Sequence, residues 1–199
     1  MFTPCIVPGK TANIEVTVNT PTDDTAFLNA WIDFNIDGDW ADSGEQIFTD
    51  EELSTGIHTL SFSVPVGAKP GSTFTRFRFS CDVGLSFTGM ASDGEVEDYQ
   101  VNISGAKVNV SSSKNPSVYC EPVTFTATVE GTPGCGYEPT GYVEFFDGAK
   151  SLGTAPLSSP TARITISNFS VGTHVITAKY LGDSNFNPST SSLISQVVN

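Results

Sequence analysis

Alternation of apolar and polar residues with a period of two runs through most of the 199-residue chain, whereas helical periodicity is nearly absent. In the first half the pattern predicts five strands, at 13–19, 27–34, 57–64, 73–80 and 98–103. In the second half it predicts six, at 107–111, 123–129, 142–146, 162–166, 174–180 and 193–198. These segments are rich in Val, Ile, Thr, Phe and Tyr, which suit a half-buried pleated surface. One helical turn is predicted at 50–53.

Turn signals such as Asp147-Gly148 and Gly182-Asp183 separate the short strands. Short strands divided in this way are typical of antiparallel sandwiches. The joint falls near 103–106, so the sequence predicts an all-β protein of two tandem antiparallel β-sandwich domains, 1–104 and 105–199. The joint is short, and we expect the two domains to follow each other without a long tether.

The charge of the chain is uneven. Lys and Arg number 9 and Asp and Glu number 22, which gives a net charge of −13. Residues 1–104 hold 16 of the acidic and 4 of the basic residues. Such acidity argues against nucleic acid or an anionic membrane as a partner. No apolar run is long enough to span a membrane, and no signal-peptide pattern precedes the strands, so we expect a fragment of a longer protein.

The strongest chemical signal is the acidic segment 33–45, DFNIDGDWADSGE. Oxygen-bearing side chains at its positions 1, 3 and 5, followed by glycine at position 6, are what a calcium loop requires. A closing glutamate stands at position 13 instead of 12, so the loop is not a strict EF-hand. The alternative is an acidic hairpin turn without an ion. The predicted calcium ligands in this loop are Asp33, Asn35, Asp37, Asp39 and Glu45.

A second acidic cluster, 93–99, leads into the last predicted strand of the first domain. Alternation places Glu95 and Glu97 on one face of that strand and Val96 and Asp98 on the other. We expect Glu95 and Asp98 to help complete the ion's coordination, with an exposed acidic strand start as the alternative.

The four cysteines are Cys5, Cys81, Cys120 and Cys135. None of them forms a Cys-x-x-Cys pair, which disfavours a structural zinc site. Two cysteines in each domain indicate an oxidising compartment and disulfides within the domains. Of the three possible connectivities we favour Cys5–Cys81 and Cys120–Cys135, because each bridge stays within one domain; four free thiols are the alternative.

No motif of a nucleophilic hydrolase, zinc protease or phosphate loop is present, and the sequence therefore predicts no enzyme. A binding function is the serious rival to a purely structural one. Trp31, Trp40, Tyr99 and Tyr142 are candidates for a sugar-stacking platform. Trp31 lies in an alternating strand and is expected to pack in the core. Trp40 lies in the acidic loop, as a lid over the ion or as a ligand contact.

Both halves are similar to known families. Residues 27–103 resemble the GEVED domain of secreted bacterial proteins through WIDFNIDGDWADSGEQIF (31–48), TRFRFS (75–80) and GEVEDY (94–99). The resemblance implies a β-sandwich module and a closing role for Glu45. Residues 107–198 resemble a bacterial Ig-like repeat through VYCEPVTFTATV (118–129), PTGYVEFFDGAKSLGTAPL (139–157) and GTHVITAKYLGDSNFNPSTSS (172–192). Cys120 and the insertion around Cys135 depart from that family's pattern and favour an added disulfide.

Together these features predict a non-catalytic pair of modules, stabilised by Ca²⁺, in a stalk or accessory segment of a secreted or cell-surface protein. Its expected partners are neighbouring domains of the parent protein, with a glycan or a surface protein as a further partner. The alternative function is a carbohydrate-binding module beside an extracellular enzyme.

Overall fold

The computed structural model describes residues 5–20 and 26–199. The chain divides into two compact units, Met1–Ser104 and Gly105–Asn199. All the secondary-structure elements in the described ranges are β-strands. No helix in those ranges is long and apolar enough to cross a membrane.

The described part of the first unit contains six strands. They are β1 (Thr11–Val18), β2 (Ala26–Ile32), β3 (Gln46–Leu53), β4 (Gly56–Ser63), β5 (Gly71–Ser80) and β6 (Glu95–Ile103). Strands β1 and β4 form a two-stranded sheet, and the other four form a sheet in the order β3-β2-β5-β6. All pairs of strands are antiparallel.

The core of this unit lies between its two sheets. Ile14 of β1 and Phe62 of β4 belong to the same buried cluster as Leu28 and Ile32 of β2. The Phe48 and Phe62 rings meet edge to face, with centroids 6.0 Å apart. The inward positions of β1 and β4 alternate with exposed polar ones, as expected for strands with one wet face.

Strand β2 is buried on both faces, and the reason is a loop that covers the outer side of its sheet. Trp31 points to that outer side and is only 3% exposed. The Phe87 ring, in the segment between β5 and β6, packs edge to face on Trp31 with centroids 6.4 Å apart. We call residues 81–94 the cover loop.

The second unit contains eight strands. They are β7 (Ala106–Ser112), β8 (Val123–Gly131), β9 (Tyr142–Asp147), β10 (Lys150–Pro156), β11 (Thr161–Ile166), β12 (Gly172–Tyr180), β13 (Ser189–Thr190) and β14 (Ile194–Val198). One sheet has the order β10-β9-β12, with both β13 and β14 pairing with β12, and the other has the order β11-β8-β7. Fully buried Phe125, Phe145 and Tyr180 fill the space between the two sheets.

The predicted class, tandem antiparallel sandwiches, is confirmed, and each of the eleven predicted strands corresponds to an observed one. The helical turn predicted at 50–53 is wrong, because these residues end strand β3. Strands β3 and β10 and the two-residue β13 were not predicted as strands. Both β3 and β10 are edge strands, where weak burial leaves little alternation to read.

The cysteine pairing differs from the prediction. Cys5 and Cys135 are disulfide-bonded, whereas Cys81 and Cys120 are outside disulfides. The predicted Cys5–Cys81 and Cys120–Cys135 bridges are therefore wrong. Burial separates the two classes, since Cys5 and Cys135 are 7% and 0% exposed, while the other two cysteines are exposed. The presence of a disulfide agrees with an oxidising compartment.

Candidate functional site: the acidic loop

The acidic loop, residues 33–45, connects β2 to β3 and closes on itself at its base. There the Ile32 amide donates to the Glu45 carbonyl at 2.9 Å. Within the loop Gly38 takes a φ of +99°, a backbone conformation that favours glycine. The chain therefore reverses within a few residues and brings the acidic side chains of the loop close together.

Two of the predicted ligands, Asp33 and Glu45, are buried in the floor of the loop. They are 4% and 3% exposed. The Asp33 carboxylate accepts the amides of Asp37 and Gly38 at 3.2 and 3.0 Å. The Glu45 carboxylate accepts the amides of Phe34 and Asp42 at 3.0 and 3.3 Å. Both side chains therefore fold the loop backbone around themselves.

The pKa of Glu45 reflects this position. Burial raises the pKa of its carboxyl group above the ordinary value, and the backbone amides of Asp42 and Phe34 oppose that rise. The nearby negative charge of Asp33 raises it further. Two buried carboxylates in one small loop are tolerable because backbone N–H groups surround them.

Three exposed carboxylates converge above this floor. Asp37, Asp39 and Asp42 each offer an oxygen atom, and these oxygens lie within 4.8 Å of one another. The Asn35 amide nitrogen donates to Asp37 at 3.0 Å and to Asp42 at 2.5 Å. The amide of Asp39 and then the Asn35 side chain lower the pKa of Asp37, so its carboxylate is ionised at neutral pH.

Asp42 is the residue of this cluster that the sequence prediction left out. Its signal was present, because it is the next carboxylate along the loop after Asp39. The prediction instead closed the ligand set with Glu45, whose carboxylate the structure places among the loop amides. Sequence spacing alone does not distinguish an oxygen that faces outward from one that caps the backbone.

The two predicted ligands from the second acidic cluster lie on β6. Asp98 stands opposite Arg76 of β5 and forms a bidentate ion pair with it, with both N–O distances 2.7 Å. This pair lowers the pKa of Asp98. Glu95 stands opposite Phe79 and is exposed. Among the described residues, neither carboxylate belongs to the cluster of converging oxygens.

Trp40 joins the acidic loop to the neighbouring strand. Its indole nitrogen donates to the Phe74 carbonyl at 3.2 Å, and the Arg76 guanidinium lies over its ring, 4.5 Å from the centroid. Phe87 of the cover loop packs against the same indole, with centroids 6.3 Å apart. Trp40 is therefore half-buried and anchored on several sides.

The second unit holds a histidine–carboxylate pair. The two ring nitrogens of His174 lie 2.6 Å from the Asp147 carboxylate and 2.9 Å from the Ser170 carbonyl. Both partners are acceptors, so the doubly protonated ring satisfies both. Burial lowers the pKa of His174, but the Ser170 carbonyl and the Asp147 carboxylate outweigh it and raise that pKa above the ordinary value.

A raised pKa in the folded state stabilises the fold below the unfolded pKa of about 6.5, and the gain is lost as the pH rises through the folded value. We therefore expect the wild-type protein to lose about 0.5–1 kcal/mol relative to His174→Asn between pH 6.0 and 8.5, as a partly exposed pair allows. Urea unfolding followed by circular dichroism at both pH values measures this difference. His58→Asn is the control for loss of an imidazole, and an unchanged difference between the two pH values would contradict the expectation.

Comparison with known proteins supplies the family context. Residues 27–102 match the model of the GEVED domain, and residues 110–199 match that of the bacterial Ig-like domain (group 3). The order is the one that the motifs predict. No curated protein matches the chain by sequence.

Solved structures resemble the chain in fold. The three N-terminal domains of the Highly Immunogenic Outer Capsid protein of bacteriophage RB49 align with 100% of this chain, at 14% identity and a TM-score of 0.52. The alignment spans 59% of that phage chain. Fibronectin(III)-like modules of Clostridium thermocellum CbhA align with 47% of this chain and 93% of their own, at 17% identity and a TM-score of 0.36.

Domains of the two matched kinds are structural modules of extracellular proteins, and the disulfide agrees with that location. The matched segments, 27–102 and 110–199, lie within the two compact units and include most of their core strands, although β1 precedes the first segment. The chain therefore contains a GEVED domain at 27–102, followed by a bacterial Ig-like domain of group 3 at 110–199.

Proposed function

We propose that this chain is a non-catalytic stalk or accessory segment of a larger secreted or cell-surface protein, and that Ca²⁺ stabilises its GEVED domain. The observation that carries the calcium proposal is the convergence of Asp37, Asp39 and Asp42 at the surface of the acidic loop. The Ig-like domain serves as a spacer.

The donor set fits a hard dication. Ca²⁺ takes about six to eight oxygen ligands, and carboxylates, amide carbonyls and waters all serve. Asp37, Asp39 and Asp42 supply charged oxygens, and the side-chain amide of Asn35 lies beside them with its nitrogen toward Asp37 and Asp42. Because the cluster is exposed, waters complete the coordination. Mg²⁺ fits less well, since it retains most of its water and prefers fewer carboxylates.

Like-charge repulsion explains why an ion would stabilise the domain. Three carboxylates whose oxygens lie within 4.8 Å of one another repel when no cation is between them. Asp33 and Glu45 hold the loop in this shape through backbone amides, so the cation binds a site that the fold has already formed. Binding to the folded state alone then raises stability by mass action.

We expect Ca²⁺ to raise the melting temperature relative to EDTA. For an extracellular-type site with a Kd of about 10⁻⁴ M, about 1–2 mM Ca²⁺ gives about 1.5 kcal/mol. The double variant Asp39→Asn with Asp42→Asn should lose this increment, because asparagine keeps the hydrogen-bonding oxygen but removes the charge. In EDTA the variant should melt no lower than wild type, since the repulsion is relieved.

Thermal unfolding of the 199-residue chain followed by tryptophan fluorescence suits this test, because Trp31 and Trp40 both lie in the first unit. Glu51→Gln with Glu52→Gln is the matched control, since it removes two exposed acidic charges on β3, outside the cluster. The calcium proposal fails if wild type melts at one temperature in Ca²⁺ and in EDTA, or if the control variant loses the increment as well.

Carbohydrate binding has weaker support, because the two candidate tryptophans are engaged in the fold, whereas the exposed Tyr99 and Tyr142 lie in different units. Trp31 is 3% exposed, and Trp40 packs against Phe87 and under Arg76. A glycan array probed with the whole chain checks this choice. A hit that Trp40→Ala removes would restore the carbohydrate-binding function.

A further inference from the structure

The first unit has an open edge on its larger sheet. Strand β6 pairs with β5 on one side, and in the described ranges its other side meets only Ile6, which bridges to Ile103 in parallel at the far end. Here the Ile6 amide donates to the Asn102 carbonyl at 2.9 Å. The six residues 95–100 are all exposed. Most of β6 therefore offers a row of backbone groups to a further strand.

An apolar groove runs alongside this edge, between β6 and β1. Its volume is about 630 Å³. Leu28, Phe77 and Phe79 of the larger sheet line it together with Val16 of β1 and Tyr99 of β6. Among the described residues the smaller sheet has two strands, and these leave part of the inner face of the four-stranded sheet uncovered.

The groove carries negative charge at one end. Residues directly opposite each other in an antiparallel pair point to the same face. Glu97 stands opposite Phe77 and Glu95 opposite Phe79, so both glutamates share the inner face with the groove's apolar lining. Glu15 of β1 lines the groove as well, and no lysine or arginine does so among the described residues.

The two arginines of the first unit do not neutralise this charge. Arg76 and Arg78 alternate with Phe77 along β5, so they point to the outer face of the sheet. Arg76 is paired with Asp98, and Arg78 donates to carbonyl groups of the cover loop. The groove therefore remains acidic at the Glu95 end and apolar at the Tyr99 end.

We propose that the open edge of β6 and this groove bind an extended basic peptide segment of a partner protein by strand addition. Backbone groups of the peptide pair with 95–100, as Ile6 already does at Ile103. Two alternate side chains that face the groove are Lys or Arg and meet Glu97 and Glu95. The next two alternate side chains are apolar and pack near Tyr99 and Val101. A second copy of the chain fits less well, because its own β6 brings the same glutamates.

The test uses the 199-residue chain and two fluorescent peptides, Thr-Lys-Thr-Lys-Thr-Val-Thr-Val-Thr and its reverse, which cover both strand directions. We expect one of them to bind in the micromolar range by fluorescence anisotropy. Glu95→Lys with Glu97→Lys should weaken binding about tenfold or more and should create binding of the peptide with glutamate in place of lysine. Hydrogen exchange should show new protection of the amides of 95–100.

Two controls separate strand addition from simple charge attraction. Glu51→Lys with Glu52→Lys changes the net charge equally on β3, at the opposite edge of the same sheet, and should leave binding unchanged. A peptide N-methylated at alternate residues cannot pair along one edge and should not bind.

Three results would overturn the proposal. The first is no binding of either peptide, which would mean that the inward glutamates only guard the edge against pairing. The second is equal loss of binding in the β3 control variant, which would reduce the effect to net charge. The third is dimerisation of the chain through β6 in sedimentation experiments, which would assign the edge to self-pairing.

Discussion

Replacing Gly94 with alanine should destabilise the first unit by about 4 kcal/mol or leave it unfolded, which is among the largest effects expected of a single methyl group. Gly94 precedes β6 at a φ of +90°, and a Cβ atom there would lie 1.9 Å from the Phe79 carbonyl oxygen. It would also lie 2.9 Å from the carbonyl carbon of Phe79 and from Cα of Ser80. These are backbone atoms of the paired strand β5, and moving them would break the β5–β6 register.

The measurement is urea unfolding followed by tryptophan fluorescence, which reports on the first unit because both tryptophans lie there. Gly89→Ala is the matched control. Gly89 has a similar φ of +94°, but a Cβ atom at that position meets nothing within 4 Å. Its cost is therefore backbone strain alone, about 1–2 kcal/mol. Equal urea midpoints for Gly94→Ala and Gly89→Ala would show that the close approach of Gly94 to β5 does not affect stability.

In the motif GEVED, residues 94–98, the glycine and the acidic residues have different structural roles. Gly94 permits the close approach of two strands. Glu95 and Glu97 face the groove, whereas Asp98 faces the opposite side and holds Arg76. Arg76 in turn lies over Trp40 of the acidic loop. One short strand therefore connects the sheet edge, the outer face and the acidic loop.

Most strands of both units could be predicted from the sequence, because alternation records which face of a strand is buried. That signal failed where burial does not alternate. Strand β3 ends in Asp50-Glu51-Glu52-Leu53, whose register with β2 shifts near Leu28 and Ala30. Asp50 there has a φ of +48° and accepts the Gly84 amide of the cover loop. A local pattern of acidic residues does not reveal such an irregular strand.

The candidate site was predictable in part. The spacing of oxygen-bearing residues located the acidic loop, and Asp37 and Asp39 lie in the converging cluster. The spacing did not indicate that Asp33 and Glu45 face the loop's own amides, because the same residue types serve as metal ligands and as backbone caps. The disulfide prediction failed for a related reason, since sequence position gives no information about burial.

The burial of Arg78 is likewise not evident from the sequence. In the strand TRFRFS Arg78 alternates with Phe77 and Phe79 and lies on the outer face of the sheet, yet the side chain is 3% exposed. Its guanidinium donates to the carbonyl groups of Ser86, Thr88 and Gly89, at 2.6, 2.9 and 3.1 Å. The planar fork of arginine binds several carbonyls of one loop at once. Arg78 therefore holds the cover loop over the sheet, where Phe87 shields Trp31.

Substituting Arg78 with methionine should cost about 3 kcal/mol of the free energy of unfolding of the first unit, because three carbonyl groups of the cover loop lose charged donors and the loop no longer packs. Arg78→Lys should recover little, since an ammonium group lacks the extended fork. Arg76→Met is the comparison variant, because that more exposed side chain donates to one loop carbonyl, at Phe87, and its ion pair with Asp98 lies near the surface. We expect Arg76→Met to cost about 1 kcal/mol.

Urea unfolding followed by tryptophan fluorescence measures the stability of all three variants, and limited proteolysis should cut Arg78→Met within 81–94. Equal stability of Arg78→Met and Arg76→Met, or full recovery in Arg78→Lys, would show that the guanidinium does not hold the loop.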